Sequence, residues 1–254
     1  MERSVSGMSK LVWEQDFVNG GGDLGLWNIR KGNDLLDHNG RPVYPGWGNG
    51  EQQFYTDKEH NLYFDGHGLN LRACRETVVQ DGRSFAYTSA RLDTRNHFSF
   101  CYGRLEVRAK LPAGQGLWPA VWLMPQDQAY GPWPASGEID MLEAKGRLPR
   151  RIAGTLHYGK DFDSKVVEEF THELEEGTIN EFREYALEWE PGSIRWLVDG
   201  YCFAERRLEK GVMPFDQPFY VILNLAVGGW YDHTEIDDSA LPGVMTVSDI
   251  RLYR

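Results

Sequence analysis

Three carboxylates stand close together in this chain: Glu138, Asp140 and Glu143, in the segment G-E-I-D-M-L-E. Ile139 and Met141 alternate with Glu138 and Asp140, a strand pattern that puts two acids on one face. Continued regularly, Glu143 would point to the opposite face, because its offset from Glu138 is odd at a period of two. One extra residue in a β-bulge around Met141-Leu142 reverses that parity, and bulges recur beside active sites. All three acids then share a face. About four strand steps of roughly 3.3 Å separate the outer backbones, and two Glu side chains leaning together close the gap toward about 5–5.5 Å. At that spacing one carboxylate attacks an anomeric carbon while the other protonates the leaving oxygen and then activates water, with retention of configuration. An acid between them raises its neighbours' pKa and orients the attacking oxygen. In an acidic protein a bare E-x-D-x-x-E also fits a solvated strand face. The Trp-Pro-x-x-Gly before it, the apolar alternation and the aromatic loops weigh toward a site.

Such a strand needs a sheet around it, and period two runs through the chain. Over Phe100 to Leu111, Gly103, Leu105, Val107, Ala109 and Leu111 take one face, and Tyr102, Arg104, Glu106, Arg108 and Lys110 the other. This predicts a half-buried antiparallel strand. Tyr185 to Trp189, Ile194 to Val198, Phe219 to Val227 and Thr246 to Tyr253 read the same way, with Asp199-Gly200 as a turn. Only Glu168 to Phe182 leans toward a helix, and Gly177 weakens it. The expected fold is all-β, two packed antiparallel sheets. No linker or repeat divides it, so one domain is expected over 11–254 after a short tail, 1–10.

Composition narrows the partners. With 38 acidic against 27 basic residues the formal charge is −11, and no Lys/Arg stripe stands out, which argues against nucleic acid and anionic membranes. No apolar run approaches the roughly 20 residues of a spanning helix. Met1 to Lys10 lacks a signal-peptide core, so the chain is read as cytoplasmic or as a mature form without its leader. Cys74, Cys101 and Cys202 have no metal-ligand spacing and are expected as buried thiols, with no disulfide framework. Nine Trp and twelve Tyr are concentrated in Gly- and Pro-containing segments such as PGWGNG, GLWPAVW, GPWPASG and VGGWYD, where flat rings can stack on sugars.

The stretch WPASGEIDMLE, 133–143, closely resembles the catalytic strand of glycoside hydrolase family 16, particularly its laminarinase-like endo-β-1,3-glucanases. WGNGEQQFYT (47–56), YTSARL (87–92), YGRLEVRAKLPAGQGLWPAVWLMP (102–125), AGTLHYG (153–159), YALEWEPGSIRWLVDG (185–200) and PFDQPFYVILNLAVGGW (214–230) agree in order. The resemblance implies a concanavalin-like jelly roll with a glycan cleft across its concave sheet. Within it Glu138 is the nucleophile, Asp140 the assisting acid and Glu143 the acid/base. Mixed-linkage lichenases typically carry the acid/base one residue closer, so the offset here favours the laminarinase-like branch.

Around the acids, His157 is either a structural histidine or a cleft group, and the resemblance favours the cleft. Trp118 and Trp133 are proposed stacking platforms, with Trp230 a further candidate. Trp122 shares the face of Trp118 yet suits the core equally, while Trp13, Trp27, Trp189 and Trp196 are assigned to the core. Asn49, Arg91 and Asn224 suit sugar hydroxyls, with a turn residue, a surface arginine and a buried amide as the plainer readings. Many relatives bind a structural calcium through an acid near the first strand and an Asp in the last; Asp16 fits the first position, but Ser248 takes the second, with Asp249 on the other face. That puts the ion in doubt. Catalysis needs no cofactor or metal. The expected partner is a β-glucan polysaccharide or oligosaccharide, and the chain is expected to be a monomer. Mixed-linkage glucan hydrolysis, transglycosylation, galactan cleavage and non-catalytic glucan binding remain as alternatives, the last opposed by the intact acids.

Overall fold

A computed structural model describes residues 9–19, 23–36, 41–209, 211, 213–232 and 235–254. The strands follow in chain order as β1 (Leu11–Asp16), β2 (Asn28–Arg30), β3 (Asp34–Leu36), β4 (Pro42–Pro45), β5 (Gln53–Tyr55), β6 (Leu62–Asp65), β7 (Gly68–Gln80), β8 (Arg83–Ser89), β9 (Arg91–Asp93) and β10 (Gly103–Lys110). They continue as β11 (Leu117–Pro125), β12 (Glu138–Glu143), β13 (Arg151–Tyr158), β14 (Val166–Glu173), β15 (Arg183–Glu190), β16 (Ser193–Val198), β17 (Tyr201–Arg207), β18 (Phe219–Val227) and β19 (Gly243–Tyr253). Two short 3-10 turns, Gly46–Gly48 and Asp238–Ala240, are the helical elements among the described residues. None is long and apolar enough to cross a membrane.

Two sheets account for the architecture. A ten-stranded sheet runs β17-β16-β15-β10-β19-β7-β8-β5, with β1 pairing β19 and β6 pairing β7; a seven-stranded sheet runs β14-β13-β12-β11-β18-β9-β2. All neighbours are antiparallel apart from β5 and β8, and β3 and β4 form a separate ribbon. The alternation read over 103–111 is realised: Leu105, Val107, Ala109 and Leu111 are fully buried. They meet Val121 and Leu123 of β11, Ile139 of β12, Leu156 of β13 and Val221, Leu223 and Leu225 of β18 in one core between the sheets. Burying such side chains contributes roughly 1.5–3 kcal/mol each, the largest favourable term in holding the sheets together. Asp199 and Gly200, both at positive φ (48° and 75°), join β16 to β17 in a two-residue turn, as their residue types require.

Several expectations are corrected. Phe219–Val227 is buried along its whole length, because one face of this central strand meets the core and the other is covered by side chains of the cleft. The stretch beginning at Glu168 enters an edge strand, β14, with alternating exposure instead of a helical stripe. The cysteines are free thiols, but Cys74 and Cys101 are half-buried and Cys202 is exposed on the edge strand β17. Trp27, Trp189 and Trp196 are buried, and Trp13 is half-buried, stacked on Phe98 at 4.0 Å. Of the tail read over 1–10, residues 1–8 lie outside the described residues, while Lys10 exchanges backbone hydrogen bonds with Arg254.

Candidate active site

The interior strand β12 is irregular where the parity argument requires it. Against β11 it pairs Leu142 with Val121 and then Asp140 with Trp122, leaving Met141 as the extra residue. Against β13 the register likewise breaks between Asp140, opposite Thr155, and Glu143, opposite Ala153. Ile139, Met141 and Leu142 join the core, and Glu138, Asp140 and Glu143 share the other face. The core holds the bulge from behind: the Trp196 indole of β16 donates to the Asp140 carbonyl at 2.9 Å. Gly154, opposite the bulge, makes room for that ring, since a Cβ there would stand 2.3 Å from Trp196 Cδ1. Sequence reading placed Trp196 in the core and gave no sign of this second role.

Each outer carboxylate receives an indole N–H. Trp133 Nε1 donates to Glu138 Oε2 at 2.6 Å, and Trp118 Nε1 to Glu143 Oε1 at 2.9 Å. Thr155, in the row of Asp140, donates its hydroxyl to Glu143 Oε2 at 3.2 Å. His157 pairs directly across from Glu138; its Nε2 lies 3.0 Å from Asp140 Oδ2 and 3.8 Å from Glu138 Oε1. Burial pushes Glu138 up to about 7, helped by the negative charge of Asp140 and opposed by His157 and the Trp133 N–H. Burial, then Asp140, holds Glu143 well above the usual carboxylate range. For His157 burial acts downward, but the Asp140 contact and the surrounding carboxylate charges outweigh it and raise it to about 9. Glu138, Glu143 and His157 are thus all raised above their ordinary values.

Potential metal-ligating atoms of Glu138, Asp140 and His157 lie within 4.8 Å of one another. A metal ion there would have to displace the proton that this histidine holds up to about 9. The residues offered for calcium do not fit that ion. Asp16 Oδ1 accepts the backbone N–H groups of Val18 and Asn19 at 2.8 Å each, and its Oδ2 accepts Asn19 Nδ2 at 3.0 Å. Ser248 donates to Asp249 Oδ2 at 2.7 Å, and the Arg251 guanidinium stands 3.1 Å from Asp249 Oδ1. A guanidinium beside the second acid is the opposite of a hard-oxygen cage.

The remaining expected residues fall on either side of the acids. Arg91 lies in the row of Asn224, Ala120 and Glu143 across the sheet, buried between the rings of Trp47 and Trp122 at 4.3 and 4.9 Å. Trp122 pairs with Asp140, so its ring belongs to the cleft face, and its Nε1 donates to Asn224 Oδ1 at 2.7 Å. Asn224 is buried, with its amide nitrogen donating to the Tyr55 hydroxyl at 3.2 Å. Trp118 is only 7% exposed, covered by Trp230 and Tyr231, and is engaged with Glu143; Trp230, 61% exposed, is the open ring of that group. Asn49 accepts the Trp230 indole N–H at 3.2 Å. Trp133 stands beyond Glu138, next to Phe162 with Lys165 over its ring. On the β13–β14 side a cavity of about 60 Å³ adjoins Glu143, lined by Lys145, Arg151, Glu169, Thr171 and Tyr231 among others. Its charged residues gave no recognisable signal in sequence, because they come from separate strands and loops.

Comparison with known proteins identifies the family. The profile of glycosyl hydrolases family 16 matches residues 44–247. The chain is 37% identical to glucan endo-1,3-beta-glucosidase A1 of Niallia circulans over 99% of its own length, and spans 38% of the length of that protein. It is 38% identical to a beta-glucanase of Rhodothermus marinus, covering 96% of this chain and 85% of the relative. The laminarinase catalytic domain of Thermotoga maritima superposes with a TM-score of 0.85 at 34% identity, covering 96% of this chain and 98% of that one.

Proposed function

This chain belongs to glycosyl hydrolases family 16, and from that membership we propose that it is an endo-acting, retaining hydrolase of β-1,3-glucan. The observation that carries the reading is the bulge at Met141, which gathers Glu138, Asp140 and Glu143 on one face with an indole donor on each outer acid. Family membership makes Glu138 the nucleophile and Glu143 the general acid, and the burial that raises Glu143 favours the proton this role needs.

In the first half-reaction a Glu138 oxygen bonds to the anomeric carbon as the glycosidic bond breaks, and the Glu143 proton goes to the departing oxygen. In the second, Glu143 takes a proton from water, whose oxygen displaces Glu138, and both residues return to their starting states. Two inversions give net retention. Asp140 and the His157 imidazolium flank Glu138 and share its changing charge, and Trp118 and Thr155 aim Glu143. Proton and charge balance close on these residues alone, so the reading calls for no cofactor.

The test is digestion of laminarin, curdlan, lichenan, agarose and xyloglucan with product sizing. The reading expects short laminari-oligosaccharides early from laminarin, β-configured at the new reducing end by NMR. Resistance of laminarin with rapid cleavage of lichenan would move the assignment to mixed-linkage glucan, and products longer than the substrate would indicate transglycosylation.

A further inference from the structure

Glu51 belongs to none of the roles assigned above, yet the hydrogen bonds on the Arg91 side of the acids end on it. It is 5% exposed, and each of its side-chain neighbours donates to it: Asn49 Nδ2 to Oε1 at 3.0 Å, Gln53 Nε2 and the Tyr55 hydroxyl to Oε2 at 2.6 and 3.0 Å. Each donor is itself fixed from behind by an N–H group. The Trp230 indole donates to Asn49 Oδ1; the Val227 backbone N–H donates to Gln53 Oε1 at 2.7 Å; the Trp122 indole donates to Asn224, whose amide nitrogen donates to Tyr55. Indole and peptide N–H groups are donors only, so none of these chains can reverse direction. Three one-way chains converge on a single acceptor-only group.

The backbone around Glu51 leaves little freedom to adjust. The Gly46 carbonyl accepts both Asn49 N and Glu51 N, and a Cβ on Gly46, at φ 60°, would lie 2.9 Å from Glu51 N. Burial raises the proton affinity of Glu51, and the charge of Arg91 and the three side-chain donors oppose that rise. We propose that Glu51 is a positioning residue for this half of the cleft: its acceptor-only carboxylate sets the amide of Asn49, and through it the pose of the open Trp230 ring, while anchoring the Tyr55–Asn224–Trp122 chain beside Arg91.

Replacing Glu51 by its amide isostere puts an NH₂ where only acceptors fit. At the Oε2 position it would face two donors, one locked by Val227. At Oε1 it would face Asn49, whose amide can turn only by presenting its NH₂ to the Trp230 indole. Glu51→Gln therefore turns Asn49 and releases Trp230. This inference rests on the glucan-binding reading of the cleft, so KM is measured on whichever β-glucan the wild-type enzyme cuts; failure to cut laminarin counts against the proposed substrate and leaves this comparison in force.

The expected result for Glu51→Gln is a KM raised about tenfold with kcat within about threefold. The double variant Glu51→Gln/Asn49→Asp restores the polarity, because the introduced carboxylate accepts from both the Trp230 indole and the introduced amide. Its KM should return to within about threefold of wild type, although Asn49→Asp alone raises KM by setting two carboxylates face to face. Melting temperatures of all variants are compared. A KM for Glu51→Gln within twofold of wild type, no recovery in the double variant, or a parallel fall of kcat and melting temperature with KM unchanged would overturn the proposal.

Discussion

On the outer face of the ten-stranded sheet, Glu106, Glu184 and Glu188 gather around Arg104, and Arg195 pairs with Glu188 from the next strand. Arg104, Glu188 and Arg195 lie directly opposite one another across β10, β15 and β16, so the signs alternate along the row. On the cleft face of the seven-stranded sheet Glu138, Asp140 and Glu143 also gather, but along one strand and with His157 as their immediate cation. In the first cluster two guanidiniums face three carboxylates, of which Glu106 and Glu184 reach solvent. The second is left with surplus negative charge in a dry place, which raises the proton affinity of its outer carboxylates above the usual carboxylate range. Acids in proximity do not make a reactive site; acids without enough matching cations, removed from water, do.

The largest effect that would break this contrast is loss of turnover on substituting Glu138. Glu138→Gln should lower kcat on the order of 10⁴-fold while oligosaccharide binding persists, since the attacking charge goes and the shape stays. Substantial residual hydrolysis would show that another group attacks. The same variant reports on stability. A carboxyl raised in the fold binds its proton more tightly there than in the unfolded chain, so folding loses stability as pH rises from the unfolded value toward about 7. Glu138→Gln should therefore melt higher than wild type at pH 8, with the difference fading at pH 4.

Next in size is removal of the acid/base. Glu143→Ala should cut natural glucan about 10²–10⁴-fold more slowly, yet still form the glycosyl enzyme from an activated glucoside. Added azide should restore turnover and give the β-glycosyl azide. A β-azide from Glu138→Ala, with an α-azide from Glu143→Ala, would exchange the two roles.

Removing the cation sharpens the comparison from the other side. In His157→Gln, Glu138 loses a charge that holds its proton affinity down, so the acid limb of kcat/KM should move to higher pH and activity at pH 6 should fall by roughly tenfold. His157 is raised in the fold, so its stabilising contribution is fully present below about pH 6.5 and is lost as pH rises through about 9; the variant should lack that decline. An unmoved acid limb would mean that His157 is a structural histidine.

The smallest kinetic effect is expected on the opposite face. Glu188→Gln should leave kcat and KM unchanged and lower stability by about 1–2 kcal/mol in denaturant unfolding, because Arg104 and Arg195 lose a shared partner. A kinetic defect there would undo the distinction between the two clusters.

The parts of this molecule legible in sequence are those governed by one local period. Leu105, Val107 and Ala109 declared their burial, and the odd offset from Glu138 to Glu143 declared a bulge, because strand parity is a local rule. Phe219–Val227 was misread as half-buried because covering its second face depends on side chains from distant segments. The edge strand at Glu168 looked weakly helical because exposed strands carry polar residues on both faces. Glu51 stood in a motif without a role, since the donors that converge on it come from Asn49, Gln53 and Tyr55 and are oriented by residues beyond position 120. Trp118 was read as a sugar platform from its loop-like setting, and only the packing of Trp230 and Tyr231 against it shows how little of its ring remains open.

The extra residue at Met141 also bears on how this strand can change over generations. In a regular strand the gain or loss of one codon exchanges the two faces downstream, sending core side chains outward and acids inward. Here the bulge absorbs the odd residue. Deleting Met141 would leave Ile139 and Leu142 facing the core and Glu138, Asp140 and Glu143 facing the cleft, now in an even, unbroken register. A single-codon deletion at this point is therefore neutral for facing and alters only the advance between the outer acids, so catalytic spacing can drift by one step without passing through an inside-out intermediate.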